Sequence, residues 1–343
     1  MTSRTTVVDT FRESQVGQRL ERTVESVGRY SKLESLAAYA MLAPNLVAFF
    51  GFVFLPIVYA FWLSLHDAYL FADEFAWVGL EHYRNLIWEP LVGAGGVLLA
   101  DGPVAAYNHL FDPLQHPFIA SLKNNLIFAL LAVPSSVVVG LGLALLVNRQ
   151  ISGIRIVRTV YFVPVVTGMV AVSLVFTYIY NPSYGLLNFL LGTIGLPDTT
   201  VWLEEYPMLA IVVMTIWKGA GYNMLLYLAA LQGVPESLYK AARVDGAGRF
   251  ARFRNLTWPL LMPTTLFVVV MSTISSFKVF TQVFVMTDGG PGFRTTVSVF
   301  YIYKRAFTDF QMGEASAMSF VLFAVIFLIT LVNMRYLQTD VEY

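Results

Sequence analysis

A chain of 343 residues that is 57% hydrophobic and only 13% charged, with a mean hydropathy of +0.65, is not a soluble domain, whose charged fraction is about twice as high. A formal net charge of zero leaves no basic footprint for nucleic acid, and the absence of cysteine removes disulfides, thiolate chemistry and cysteine metal sites. The composition is that of an all-α integral membrane protein.

Residues 1–36 are polar and mixed in charge, with no apolar core near the terminus. The first apolar run, rather than a cleaved leader, is therefore expected to target the chain. Apolar runs at about 37–65, 121–148, 159–180, 207–231, 260–286 and 312–334 each exceed the roughly 20 residues needed to cross hydrocarbon. They predict six transmembrane helices with both termini on one side. With the N-terminus inside, segments 1–36, 149–158, 232–259 and 335–343 hold 15 lysines and arginines, against 5 in the outer segments. That asymmetry predicts cytoplasmic termini and a cytoplasmic tail at 335–343. The first outer loop, 66–120, is long, and the remaining spans form a core over 121–334.

Residues 231–263 read LQGVPESLYKAARVDGAGRFARFRNLTWPLLMP. Five basic residues (Lys240, Arg243, Arg249, Arg252, Arg254) stand here against two acids, Glu236 and Asp245. Pro235 suits the first turn of a helix, and good helix formers run on to Arg243. Gly246 and Gly248 permit a sharp bend, Asp245 is suited to capping the helix that follows, and Pro259 and Pro263 mark entry to the next span. The expectation is a helix-bend-helix loop, 232–259, between the fourth and fifth spans.

The order of residues in this loop resembles the coupling loop of binding-protein-dependent ABC importer permeases: EAA, then DGA, then a hydrophobic–Thr–hydrophobic–Pro close. Ala241, Ala242, Asp245, Gly246, Ala247, Phe253, Leu256, Thr257, Pro259 and Pro263 occupy the matching positions. Lys240 departs from the pattern, standing where the family usually has the glutamate of EAA. Three outer segments extend the resemblance: WVGLEHYRNL (77–86) resembles the family's post-span signature, and NPSYGLLN (181–188) and MTDGGPGFRTT (286–296) look like the carbohydrate-type members, of the maltose and glycerol phosphate kind. Residues from Glu89 to Pro117 look like an insertion relative to the shortest members. The likeness covers about residue 37 to the C-terminus.

No catalytic constellation is present. The four histidines, His66, His82, His109 and His116, all fall in the first outer loop without a ligand-helix spacing such as HExxH, and read as solvent-facing side chains rather than a metal site. There is no GxxxxGK[ST] phosphate loop, so ATP and its magnesium are expected on partner ATPases and no cofactor on this chain. Inside the spans, Lys218 and Lys278 have no acid at comparable depth. An unpartnered lysine at the bilayer centre costs about 2.5–3.5 kcal/mol or more. Lys278 is close enough to the outer surface to snorkel, whereas Lys218 is expected to face an aqueous cavity or a partner subunit. Trp217, Tyr222 and Asn223 beside Lys218, and Ser275, Phe277 and Gln282 beside Lys278, combine aromatic faces with amides and hydroxyls, as a sugar path requires. Packing between helices is the competing explanation for such small and polar residues.

The resemblance implies a cell-membrane permease subunit of an ATP-driven importer for a sugar or sugar-like solute. It would work with a second homologous permease, two ATPase subunits and an extracytoplasmic solute-binding protein. Glu236, Lys240, Ala241, Ala242, Asp245 and Gly246 would form the ATPase contact. Two alternatives stay open at this point: an ion-coupled secondary transporter, and the same importer with an anionic substrate such as glycerol phosphate.

Overall fold

The structure, a computed structural model, describes residues 34–69, 71, 75–148 and 153–337. The expected N-terminal segment up to residue 33, residues 149–152 and residues 338–343 of the tail lie outside the described residues. The chain divides between Trp62 and Leu63 into two compact units.

The first unit holds most of helix α1, Glu34–Ser64, an apolar helix long enough to cross a membrane. Its one irregularity is a π turn at Phe50–Phe54, where the Leu55 N–H donates to the Phe50 carbonyl. Proline explains it. Pro56 has no N–H to donate, and its ring crowds the carbonyl four residues back, so the turn before it widens. The same device recurs twice. A π turn at Arg84–Trp88 precedes Pro90, and one at Phe253–Thr257 precedes Pro259.

The second unit begins with a short antiparallel pair, β1 (His66–Asp67) and β2 (Ala76–Trp77). A helical stretch, α2 (residues 81–101), and helix α3 (Pro103–Leu110) follow, so the expected insertion folds as a helical hairpin. Then come α4 (Pro117–Val147), α5 (Ile154–Val166), α6 (Met169–Ile179), α7 (Leu186–Thr193), α8 (Trp202–Glu205) and α9 (Pro207–Gly233). The chain continues with α10 (Glu236–Val244), α11 (Arg249–Leu260), α12 (Met262–Phe277), α13 (Thr281–Met286), α14 (Ser298–Phe307) and α15 (Met312–Leu337).

Four of the expected spans are single helices: α1, α4, α9 and α15. The other two are broken. Helices α5 and α6 meet at 103°, and α11 and α12 at 65°. Pro164 ends α5 within two residues, after which Thr167 and Gly168 are extended. The expected fifth span, 260–286, breaks a second time at Lys278–Phe280, between α12 and α13.

The core is built where α4 and α9 pack along their lengths. At one end, Phe128, Ile211, Met214, Val283 and Phe300 are buried together. At the other, Leu141, Val147, Tyr227, Leu231, Leu261 and Val268 form a second cluster. Helix α5 approaches α9 backbone to backbone at Gly221, where a Cβ would collide with the Tyr161 carbonyl. This close approach brings the end of α5 within reach of side chains on α9.

Candidate functional site

The basic loop folds as a helix, a turn and a second helix. Pro235 is the N-cap of α10 rather than a first-turn residue. The helix ends in a paired turn: the Gly246 N–H donates to the Arg243 carbonyl at 3.1 Å and the Ala247 N–H to the Ala242 carbonyl at 2.9 Å. The Ala241 carbonyl accepts the Asp245 N–H at 3.0 Å. Gly246 makes the turn at φ +78°, a left-handed conformation that is costly for any residue with a Cβ. Gly248 sits at φ −65° and ψ 171°, so the bend depends on one of the two expected glycines. Gly248 is also the N-cap of the second helix, and Asp245 is the C-cap of the first, which corrects the expectation that Asp245 caps the following helix.

One side of this element is anchored and the other is open. The Tyr239 hydroxyl and Thr257 Oγ1 are hydrogen-bonded at 3.1 Å, joining α10 to α11. Phe253 and Trp258 pack onto the cluster of Leu231, Leu261 and Val268. Outward stand Val244, 88% exposed, and Phe250, 75% exposed, among Arg243, Arg249 and Arg254. Lys240 forms an ion pair with Glu236 at 3.3 Å, one turn back on its own helix. Both side chains are solvated, so the pair adds only about 0.3–0.5 kcal/mol, but it gives the unusual lysine a partner within the loop.

A cavity of about 620 Å³ opens between α4, α6, α9 and the α12–α13 break. Among the residues expected in a solute path, Tyr222, Asn223, Ser275, Lys278 and Gln282 line it. Gln282 Nε2 donates to Thr215 Oγ1 at 3.4 Å, and Asn223 is nearly buried against Gly140 on α4. Three expected residues lie elsewhere. Phe277 is buried with Ala129 and Leu322 on the far side of α12. Trp217 packs its ring 5.2 Å from that of Phe176. Lys218 does not line this cavity.

Lys218 Nζ donates to the Val165 carbonyl at 3.3 Å, in the last turn of α5. A helix end inside a membrane has carbonyls with no partner of their own, and it carries a partial negative charge. Here three of the last four carbonyls have identified donors. The Thr167 hydroxyl donates to the Val163 carbonyl at 3.2 Å, the Thr167 N–H to that of Pro164 at 3.3 Å, and Lys218 serves Val165. The half-buried lysine needs no carboxylate because a broken helix supplies its acceptor.

The corresponding end of α12 is capped by a residue not expected from sequence. Asn125 on α4 is fully buried. Its Nδ2 donates to the Ser276 carbonyl at 3.0 Å and the Phe277 carbonyl at 3.4 Å, and its Oδ1 accepts the Ser298 N–H at 2.7 Å. Neighbouring Asn124 donates to the carbonyls of Phe293 and Thr296, holding the turn after Gly289 and Gly290. Two adjacent amides in an apolar run are the signal that marks them, since an amide in hydrocarbon requires partners.

The histidines are only partly solvent-facing, contrary to expectation. His66 is buried edge-on against Trp77, His82 Nε2 lies 3.1 Å from the His66 carbonyl, and the rings of His109 and His116 pack 5.2 Å apart. No group of three or more potential ligands able to hold a metal occurs among the described residues.

Comparison with known proteins agrees with this architecture. Residues 124–342 match the family described as "Binding-protein-dependent transport system inner membrane component". The chain is similar to the probable ABC transporter permease protein YurN of Bacillus subtilis (strain 168), 34% identical over 309 residues, which are 89% of this chain and 97% of that one. It is 30% identical to the trehalose/maltose transport system permease protein MalF of Thermococcus litoralis, over 88% of this chain and 94% of that protein. Its fold matches a chain in the crystal structure of a bacterial alginate ABC transporter in complex with alginate pentasaccharide-bound periplasmic protein, with a TM-score of 0.71 at 23% identity, covering 91% and 99% of the two chains.

Proposed function

This chain belongs to the inner membrane components of binding-protein-dependent transport systems, and from that membership we infer that it is the permease subunit of an ATP-driven importer for a sugar or sugar-like solute. The ion-coupled carrier is thereby set aside. The solute class is supported by the similarity to a trehalose/maltose permease and by a cavity lined with hydroxyls, amides and the aromatic rings of Phe128, Tyr222 and Phe280. In this reading the chain crosses the cell membrane six times, as α1, α4, the α5–α6 pair, α9, the α11–α12 pair and α15. Both termini are cytoplasmic, as the lysine and arginine distribution requires. A second permease completes the solute path, two ATPases bind ATP and magnesium, and a solute-binding protein delivers from outside.

Residues 232–259 are the ATPase contact, with Glu236, Lys240, Ala241, Ala242, Asp245 and Gly246 on its first helix and turn. The observation that carries this assignment is the Gly246 turn itself. It presents Val244 and Phe250 to solvent among arginines while Tyr239, Phe253 and Trp258 tie the element to the start of α12. An apolar knob on a rigid stem suits a groove on a partner, and closure of the ATPase pair would move the stem and with it the spans.

Gly246→Arg tests this. A Cβ at Gly246 meets nothing within the chain, so the cost inside the permease is the backbone strain alone, roughly 1–2 kcal/mol. The larger effect is a long side chain entering the partner groove. Substrate-stimulated ATPase activity of the reconstituted complex should fall at least about tenfold, as a lost contact of 1.4 kcal/mol or more predicts, while the permease still inserts. Gly246→Ala carries the strain without the bulk and should lose less. Full stimulation and normal co-purification of the ATPase in Gly246→Arg would remove this loop from the mechanism.

A further inference from the structure

We infer that the solute passing this cavity is an anion: a sugar or polyol bearing a carboxylate, sulfate, sulfonate or phosphate, met by Lys278. The inference rests on the importer reading above and narrows its substrate class.

Lys278 is the single ionisable lysine, arginine, aspartate or glutamate among the residues lining the cavity. Its neighbours there are neutral donors and acceptors such as Thr215, Ser275, Thr281 and Gln282. It stands at the break between α12 and α13, and its side chain is exposed.

One structural explanation for a lysine at such a place is that it serves the helix end, and the geometry removes that one. A cation at a helix C-terminus ordinarily serves the last carbonyls. Those of α12 already have donors. The Lys278 backbone N–H reaches the Ile274 and Ser275 carbonyls at 3.1 and 3.2 Å, and Asn125 Nδ2 takes those of Ser276 and Phe277. The Lys278 ammonium has no hydrogen bond or ion pair among the described residues. Lys218, the other lysine within the spans, shows the contrast: its ammonium is held by the Val165 carbonyl, away from the cavity. One lysine therefore completes the fold and the other presents its charge to the space through which solute moves.

A cation lining the solute path favours an anion, and the more so the more water the assembled path excludes, because Coulomb attraction grows as the dielectric falls. It also repels metal cations and protonated amines. A neutral sugar can accept a hydrogen bond from the ammonium but gains none of the charge attraction, so removing the charge costs an anion far more.

The test is uptake into proteoliposomes by the complete complex with its solute-binding protein. The probes are neutral sugars and polyols, each alongside its uronic acid, sulfonate or phosphate counterpart. In wild type, an anionic member should accumulate with ATP and its neutral twin should not. Lys278→Gln should import that anion at least about tenfold more slowly, the size expected when one member of a charged pair is truncated. Lys278→Arg keeps the charge and should restore most of the rate, which a merely structural role for the side chain would not predict. Import of a neutral solute by wild type, or an unchanged anion rate in Lys278→Gln, overturns the inference and leaves the importer reading intact. ATP-dependent accumulation of no solute at all in wild type would overturn both.

Discussion

Lys218 shows how a charge can be accommodated inside a membrane without an opposite charge. Its acceptor is the Val165 carbonyl at the end of α5, and a charge-assisted hydrogen bond of this kind is worth about 1.5–3 kcal/mol where both groups would otherwise be unpartnered. Lys218→Met keeps the apolar stem and removes the donor. It should lower the thermal midpoint of the purified permease complex and raise the reactivity of a cysteine placed at Thr167, beside the released carbonyl. Lys218→Arg should preserve both properties. Equal midpoints and equal labelling in Lys218→Met and wild type would mean that the lysine is not what holds the α5–α6 break. Lys240 is the complementary case at the surface. With Glu236 as its partner one turn away, its departure from the usual glutamate is balanced within α10 itself.

Among the elements, the two broken spans follow one rule. At one break in each, between α5 and α6 and between α12 and α13, the helix carbonyls left at membrane depth are met by a polar side chain from an unbroken neighbour: Lys218 on α9 for α5, Asn125 on α4 for α12. Broken helices in a membrane are tolerated only with such partners. Asn125→Leu deprives the Ser276 and Phe277 carbonyls of a donor and the Ser298 N–H of an acceptor, at about 1–3 kcal/mol for each buried group left unpaired. The expected result is poor recovery of folded protein or a markedly lower thermal midpoint. Asn125→Asp keeps the acceptor for Ser298 but turns a buried carboxyl oxygen toward two carbonyls, and should be no more stable than Asn125→Leu. Wild-type stability in Asn125→Leu would show that the break at Lys278–Phe280 needs no side-chain cap. The prolines follow a rule of their own: Pro56, Pro90 and Pro259 each come just after a π turn, which makes room for the ring and lets the helix continue.

For the whole molecule the decisive quantity is orientation. Fifteen lysines and arginines on one side against five on the other predict that residues 232–259 face the cytoplasm. The cysteine-free background allows a direct reading. A cysteine at Gly248 should react with a membrane-impermeant maleimide only after the cytoplasmic face is opened, and cysteines at Asn108 and Thr200 should react from outside in intact cells. Labelling at Gly248 from outside would invert the topology and take the proposed ATPase contact with it.

The number and position of the apolar runs, the basic loop and the glycine turn were legible in the chain because each depends on local quantities. Hydropathy summed over about 20 residues finds a span, and one glycine flanked by helix formers finds a turn. The folded molecule agrees closely at α1, α4, α9 and α15 and at Gly246. The Pro164 and Thr167–Gly168 signals for the break in the third span were present in the sequence too, but hydropathy averages over them. What no local quantity contains is how donors and acceptors pair. Lys218 and Lys278 look alike as sequence, two lysines in apolar runs without acids. Only packing decides that Lys218 meets a carbonyl 53 residues away, while Asn125, 151 residues from Ser276, caps α12 and leaves the Lys278 ammonium in the cavity without a partner among the described residues. A buried polar group must be satisfied by whatever the fold brings within about 3 Å; that neighbour belongs to the tertiary structure.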